Sequence, residues 1–555
     1  MLNRIVSLRP CFTCFRLRRV FETWRASGCV ALLLAAPATA TAAESYFDET
    51  RVTTLFAFDQ VSIPFTENLR LRMRQPEKLA ANPVVLRGGP GTPDSWAVQF
   101  YGSIVRVGDR YRMWYVAAGE DRLSKSVPRS SPWRVAYAES RDGLVWTKPN
   151  LGLVDYLGNR NNNLVQIDAA PLGILNVKVL HEPDAEPAER YKMSAHVWFS
   201  KGTKGNRFGT LALFVSADGL SWRSVHGVRP VEAELTREDL VLPYTHYEPA
   251  GGLYRWEGLY YTSGQNAFAG VRPYHGRVVR SFVSGDFRTW SAASAVGFVR
   301  SAQHTLLGPG QSRDGEQTHE GVSVWHRHNV LLGVVGIWHG AKEWPGVTID
   351  LGFVLSNDGV NFREPAHEWV FIERGKDGAW DQGGLLQAQG FENIGERTYI
   401  YYGAWDPRHW ENAPPRGGVG VVTLPRDRLG DLVIEPTSIG TGDYQVPEAS
   451  ASFLTAAVPV SASVSPEFFI NADGLGPEAA LKIELLTPDL KPIPGASGEA
   501  AAVVRQSGFQ TPIVWPDQGA VRHLPERIRI RVTYEGARKT AIRFSALYLR
   551  TGEKR

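Results

Sequence analysis

Ser140-Arg141-Asp142-Gly143-Leu144-Val145-Trp146 follows an apolar, aromatic-rich run, and its pattern returns three times. The other copies are Ser216-Ala217-Asp218-Gly219-Leu220-Ser221-Trp222, Ser284-Gly285-Asp286-Phe287-Arg288-Thr289-Trp290 and Ser356-Asn357-Asp358-Gly359-Val360-Asn361-Phe362. They start at 140, 216, 284 and 356, which is 76, 68 and 72 residues apart. Self-similarity at a long, nearly constant period marks repetition of one supersecondary unit. The aspartate side chain is suited to bond backbone amides two residues on, and a following glycine accepts positive φ. These motifs are therefore read as structural turns whose aromatic packs between repeats.

Working outward, each repeat has the same grammar: an apolar strand, a turn, an aromatic-rich strand, a variable loop, a third strand, the Ser-x-Asp turn and a polar fourth strand. Tyr111-Arg112-Met113-Trp114-Tyr115 and Val135-Ala136-Tyr137-Ala138-Glu139 show it in the first copy. A fifth copy lacks the turn but keeps Thr398-Tyr399-Ile400-Tyr401-Tyr402 and Gly418-Val419-Gly420-Val421-Val422. Alternation with β-branched and aromatic enrichment predicts strands throughout. The expected fold is all-β: a five-bladed β-propeller over 82–440, followed by a β-sandwich over 450–550. The second domain shows in alternating runs such as Leu481-Lys482-Ile483-Glu484-Leu485-Leu486 and Ile528-Arg529-Ile530-Arg531-Val532, after a linker-like Ala449-Ser450-Ala451-Ser452. Residues 44–81 are expected to lend the propeller a closing strand, because a ring must hide its edges.

The bulk numbers agree. A chain of 555 residues with 43% hydrophobic content can bury more than one core, and 55 glycines with 35 prolines suit many short strands. The formal charge of +4 is misleading, because residues 1–43 hold six arginines against Glu22 alone. Without them 55 basic residues face 56 acidic ones, a balance of −1 that points to no nucleic-acid partner. That segment reads as an export signal: arginines, then Val30-Ala31-Leu32-Leu33-Leu34-Ala35-Ala36, then small residues through Ala43. Its apolar run is short of the roughly 20 residues that span a bilayer, so no membrane insertion is expected. A secreted or periplasmic location follows. Arg18-Arg19 raises a twin-arginine export route, although the residues around it fit that signal poorly. All three cysteines, Cys11, Cys14 and Cys29, lie in the signal, so the mature chain has neither disulfide nor thiol chemistry.

In a propeller the starts of the innermost strands and the loops after the second strands converge on one face of the axis. The first set contains Asp94, Gln99, Asn176, Glu248, His319, Glu320, Gln387 and Gln389; the second contains Glu120, Gln265, His339, Asp406 and Arg408, with Trp96 and Trp405 beside them. Carboxylates among amides, imidazoles and aromatic faces suit a sugar ring and the two-carboxylate hydrolysis of a glycosidic bond. The expected catalytic residues are Glu248 as general acid, with Asp94 or Glu320 as its base or nucleophile. Trp96, Gln99, Asn176, Gln265, His319, His339, Gln389, Trp405, Asp406 and Arg408 are expected to bind substrate. No metal-ligand spacing is present and no cofactor is expected; the partner is a polysaccharide or oligosaccharide.

The chain resembles the five-bladed propeller glycosidases of glycoside hydrolase families 32, 43, 68 and 130, above all secreted bacterial proteins similar to family 32 with a C-terminal β-sandwich. The segments that carry the resemblance are Gln75-Pro76-Glu77-Lys78 with Asn82-Pro83, Tyr111 to Tyr115, Asp142 to Pro149, Gly418 to Val421 before Pro425-Arg426-Asp427-Arg428, and Lys491-Pro492-Ile493-Pro494-Gly495. The resemblance implies a secreted hydrolase, with Glu248 where family 32 has its acid/base glutamate. The family's first-blade nucleophile position falls near Phe100 or Tyr101, and its second-blade aspartate position holds Asn176. These departures speak against fructan cleavage and leave furanosides among the candidate substrates. A carbohydrate-binding propeller without catalysis and a glycoside phosphorylase are the alternative readings.

Overall fold

The structure is a computed structural model. It describes residues 48–123, 133–168, 173–199, 208–227, 241–242, 247–265, 277–300, 316–341, 346–367, 369–405, 416–434, 450–460 and 466–550.

Five antiparallel sheets follow one another along the chain. The first consists of Ala97–Val107, Arg110–Ala118 and Trp133–Ser140, with Thr147 bridging Glu139 at its rim. The second runs Gly173–His181, Tyr191–Phe199, Phe208–Ser216 and Ser221–Ser224. The third runs Glu248–Trp256, Leu259–Gln265, Val279–Ser284 and Ala295–Phe298. The fourth runs Glu316–Arg327, Val330–His339, Thr348–Ser356 and Val370–Ile372. The fifth runs Leu385–Ile394, Arg397–Ala404 and Val419–Pro425, and Glu77–Lys78 from the start of the chain completes it. The five first strands neighbour one another in sequence, and the last returns to the first, with Gln389 opposite Ser103. This is ring closure: a five-bladed propeller with the first strands around its axis.

The repeated turns perform the structural task read from them. Asp142 Oδ1 accepts from the Leu144 and Val145 amides at 2.9 and 2.8 Å, and Asp218, Asp286 and Asp358 repeat the arrangement. Gly143, Gly219 and Gly359 have φ of 75°, 76° and 81°, and Phe287 takes the same left-handed conformation at 66°. Glycine is also required for space, because an aromatic from the preceding blade rests on it. A Cβ there would meet Tyr401 at 2.6 Å, Trp114 at 2.8 Å and Trp256 at 2.5 Å respectively. Tyr401 Oη, Trp114 Nε1 and Tyr254 Oη then donate to the carbonyls of Gly143, Gly219 and Gly359. In the third turn Phe287 is itself buried and fills that space.

The second body is a sandwich of two six-stranded sheets. One pairs Arg70–Met73, Gly430–Val433, Arg543–Arg550, Glu467–Asp473 and Gly508–Pro512, with Thr53–Phe56 added. The other pairs Phe65–Glu67, Ala451–Leu454, Arg527–Glu535, Ala480–Leu486 and Ala502–Val504, with Val458–Pro459 added. Alternation drives it: Ile528, Ile530, Val532 and Tyr534 are buried between the sheets while Arg527, Arg529, Arg531 and Thr533 point away. Residues 48–81 thus serve both bodies, with three strands in the sandwich and one short strand in blade five. The run read as a linker is a strand at Ala451–Leu454, since Ala451 and Phe453 bury into the sandwich core.

Candidate active site

All five first strands carry a bulge soon after they begin. A bulge re-aims the side chains beside it, and two of these bulges set the acids. Glu248 opens blade three, where the register shifts between Glu248 and Gly252. Glu320 lies within the shift between His319 and Val322, with φ of 62°. Blades three and four also approach unusually closely here. A Cβ on Gly321 would lie 2.6 Å from the backbone of Gly264, and one on Gly251 would lie 2.6 Å from Val322 N. Glycine at these positions is what lets the two acids meet.

Gln265 binds the pair together. Its Nε2 donates to Glu248 Oε2 and, at 3.2 Å, to Glu320 Oε1, while its Oε1 accepts from the Glu320 amide at 3.0 Å. The two carboxyl groups thus meet at one amide nitrogen, close enough for the Glu248 charge to act on Glu320. Burial, then the Glu248 charge, pushes the Glu320 carboxyl well above the usual carboxylate range, against the pull of Arg277 and Lys178. Such a pair titrates as a unit. Both glutamates remain partly exposed.

A neutral imidazole and phenol stand beside them. Burial, then the Arg277 charge, holds the His319 imidazole well below its ordinary value. Its Nδ1 lies 3.2 Å from the Tyr101 hydroxyl, and burial keeps that phenol protonated. We assign Tyr101 as the donor, which leaves the Nε2 proton of His319 towards Glu320 Oε1, 3.7 Å away. Trp405 stacks on His319 at 6.1 Å with an interplanar angle of 12°. Below the pair, Lys178 Nζ sits among Gln387 O at 3.1 Å, Gly102 O at 3.3 Å and Ser323 Oγ at 3.3 Å, so blade two is tied to blades five, one and four.

Sequence reasoning brought Glu248, Glu320, Gln265, His319 and Trp405 to one place, and the structure gathers them there. Other expected site residues serve the fold. Asp94 is buried and saturated: it accepts from Lys148 Nζ at 2.5 Å, Tyr115 Oη at 2.8 Å, Thr92 Oγ1 at 3.0 Å and Gly88 N at 3.1 Å. All four partners belong to blade one and its flanking loops, so Asp94 is corrected to a loop anchor. Trp96 is buried between blades one and two, edge-on to Trp133, and offers no face to a sugar. Gln99 donates to Leu175 O, and Gln389 exchanges two hydrogen bonds with the Leu253 backbone, so both tie blades together. Asn176 is buried, and its Oδ1 has no partner among the described residues. His339 sits at the same end of blade four but is held by Glu316 and Asp350. Asp406 and Arg408 lie outside the described residues. Tyr101, Arg277 and Lys178 were missed. Lys178 had a signal: a lone charge within the apolar run Val177-Lys178-Val179, on the strand face shared with Asn176.

No cluster of three or more His, Cys, Asp or Glu placed to hold a metal ion occurs among the described residues. No helix among them is long and apolar enough to cross a membrane. No protein-family model matches the chain, and no curated protein is significantly similar. Among solved structures it is similar to an N-acetylgalactosamine deacetylase from F. plautii in complex with blood group B trisaccharide (TM-score 0.40, 15% identity, 65% of this chain and 96% of the other). It is also similar to a putative glycoside hydrolase from Bacteroides ovatus (TM-score 0.39, 16% identity, 63% and 97%). A third is from a study of mannoside phosphorylases and glycoside hydrolases of family 130 that target β-1,2 mannosidic linkages in Candida mannan (TM-score 0.39, 14% identity, 64% and 95%). Likeness at this level leaves the chemistry to the residues described above.

Proposed function

We propose that the protein is an exported glycoside hydrolase whose working groups are Glu248 and Glu320. The observation that carries this reading is the carboxyl pair bridged by Gln265 at the end of the propeller axis, partly exposed and backed by a buried histidine and tyrosine. The more deeply held Glu320 keeps the proton and is the acid; Glu248 is the carboxylate. This exchanges the role first expected of Glu248. Glu320 gives its proton to the glycosidic oxygen, the bond from that oxygen to the anomeric carbon breaks, and the leaving alcohol departs neutral. Glu248 meets the developing cation directly or removes a proton from the water that attacks it. One amide nitrogen, Gln265 Nε2, bonds both carboxyls and occupies the space between them. The glycosidic oxygen therefore has to displace that bridge as substrate enters.

The Gln265 bridge also favours a second reading, a carbohydrate-binding propeller in which it is never displaced. A product assay on plant, algal and bacterial glycans, run on the native chain and on Glu320→Gln, decides. Sugar release by the native protein and its loss in the variant supports hydrolysis. Binding without release supports the second reading, and undiminished release by Glu320→Gln removes the pair from the mechanism.

A further inference from the structure

Arg277 stands beside the carboxyl pair, and two of its donor nitrogens, Nε and Nη1, have no hydrogen-bond partner among the described residues. Its guanidinium carbon lies 3.8 Å from the centre of the Trp338 ring, a close cation–π contact that fixes the plane of the group. The backbone is pinned on both sides: Arg277 N donates to Gln317 Oε1 at 2.9 Å, and Arg277 O accepts from Thr318 Oγ1 at 3.0 Å. The charge is therefore held rigidly at the junction of blades three and four. It acts electrostatically on Glu248, Glu320, His319 and Tyr101, which places it in the same cluster. Yet Nε and Nη1 are buried with no hydrogen-bond partner among the described residues. Gln265 bridges the glutamates instead.

Buried guanidinium nitrogens without acceptors are costly, and a native structure keeps them only where something else fills the site. Arginine rather than lysine is the side chain that recognises a planar oxyanion, because its donors form a rigid fork. We propose that Arg277 is a specificity-determining residue that binds the carboxylate of an acidic sugar ring seated at the Glu248–Glu320 pair. The proposal rests on the carbohydrate reading above and narrows it to glycans that contain uronic acid. The stacked guanidinium supplies the positive charge, and Glu320, protonated, adds no repulsion.

The test is calorimetric binding by the full chain carrying Glu320→Gln, which prevents turnover and is isosteric with the protonated acid. Probes are oligosaccharides of galacturonic, glucuronic and mannuronic acid, each beside its carboxyl-reduced neutral counterpart, and inorganic phosphate. The expected result is at least one acidic oligosaccharide bound tenfold or more tighter than its neutral form. Adding Arg277→Gln abolishes that preference and changes the affinity for the neutral form by less than threefold. Arg277→Lys, which keeps the charge without the fork, retains part of the preference and controls for folding, together with the thermal unfolding of each variant. Equal binding of acidic and neutral forms overturns the proposal, as does an Arg277→Gln variant that weakens both alike. Submillimolar phosphate binding through Arg277 with no uronate preference reassigns the site to an inorganic anion and also overturns it. If no glycan binds at all, the carbohydrate reading falls too, whereas neutral binding without preference removes only the role of Arg277.

Discussion

Arg327 and Asp427, neither accessible to solvent beyond 1%, face each other with Nη1 at 2.6 Å and Nη2 at 2.8 Å from the two carboxylate oxygens. Arg327 ends the first strand of blade four, and Asp427 follows the last long strand of blade five. Tyr548 Oη, from the sandwich, donates to the same carboxylate at 3.0 Å, and the Arg327 guanidinium lies over Phe56 of the sandwich at 5.1 Å. One ion pair thus joins two blades to the second body. Burial alone would raise the Asp427 pKa; the Arg327 charge and hydrogen bonds outweigh it and hold the carboxyl below its ordinary value.

Breaking that pair from one side strands a buried charge, which costs about 3–5 kcal/mol. Asp427→Asn keeps the side-chain shape and tolerates the left-handed φ of 59° at this position. It is expected to lower the unfolding free energy by about that amount in a guanidinium titration. The double variant Arg327→Met with Asp427→Asn is expected to be more stable than Asp427→Asn alone, because no charge is then stranded. A single variant within about 1 kcal/mol of the native chain would show that the pair does not hold the two bodies together.

The carboxyl pair predicts opposite effects on activity and stability. General acid–base catalysis typically contributes about 10²–10⁴ in rate, so Glu320→Gln and Glu248→Gln should each lower turnover by roughly a hundredfold or more. Glu320 has its folded pKa raised, so its contribution to stability is present below the ordinary carboxylate value and declines as pH rises towards the elevated one. At neutral pH the amide escapes that penalty, and Glu320→Gln should melt higher than the native chain. Differential scanning fluorimetry at pH 7 and pH 4 checks this. The gain should shrink at the lower pH, and a gain equal at both would disconnect it from ionisation.

His339 carries the clearest alkaline signal. Its Nδ1 and Nε2 lie 2.5 Å from Glu316 and 2.8 Å from Asp350, so both ring nitrogens donate. Arg374 binds Asp350 from the far side. Burial disfavours the imidazolium, but the two carboxylates outweigh it and raise the pKa to about 9. A raised histidine contributes stability that is complete below its ordinary value near 6.5 and disappears as pH climbs through about 9. The melting temperature of the native chain should therefore fall more between pH 6.5 and pH 10 than that of His339→Gln. Parallel curves for the two proteins would mean that His339 is not charged in the fold.

Local chemistry was legible and distant pairing was not. The Ser-x-Asp turns declared the propeller because the aspartate, the amides that donate to it and the glycine all lie within four residues. The sandwich was legible in alternation at Arg527–Glu535, yet its strands at Thr53–Phe56 and Gly430–Val433 were not, since both are short and owe their place to partners hundreds of residues away. Glu248 and Glu320 could be found because a strand start fixes which end of the axis a residue occupies. Asp94 met the same rule and failed. Its position could not reveal Lys148, which arrives from the far side of a whole blade and consumes the carboxylate. Arg277 carried no signal at all, because only the stack on Trp338 and the lack of acceptors set it apart.

Lys178 offers the last test, and it separates tuning from packing. Three acceptors surround its Nζ, and the Ser323 hydroxyl gives its own proton to Gly251 O at 2.7 Å, so Lys178 supplies every proton in its contacts. Burial pulls its pKa well down, while Glu320 pulls the other way. In return Lys178 lowers the pKa of Glu320. Lys178→Met fills the axis with similar volume but withdraws the charge and leaves the Gly102 carbonyl without this donor. An unsatisfied buried polar group costs about 1–3 kcal/mol, so stability should fall by that order. Packing alone would stop there. If Lys178 also tunes the pair, Glu320 holds its proton to higher pH in the variant, and the alkaline limb of the pH–rate profile moves upward while the acid limb stays. A profile that keeps its shape and merely scales down would confine Lys178 to holding the blades together.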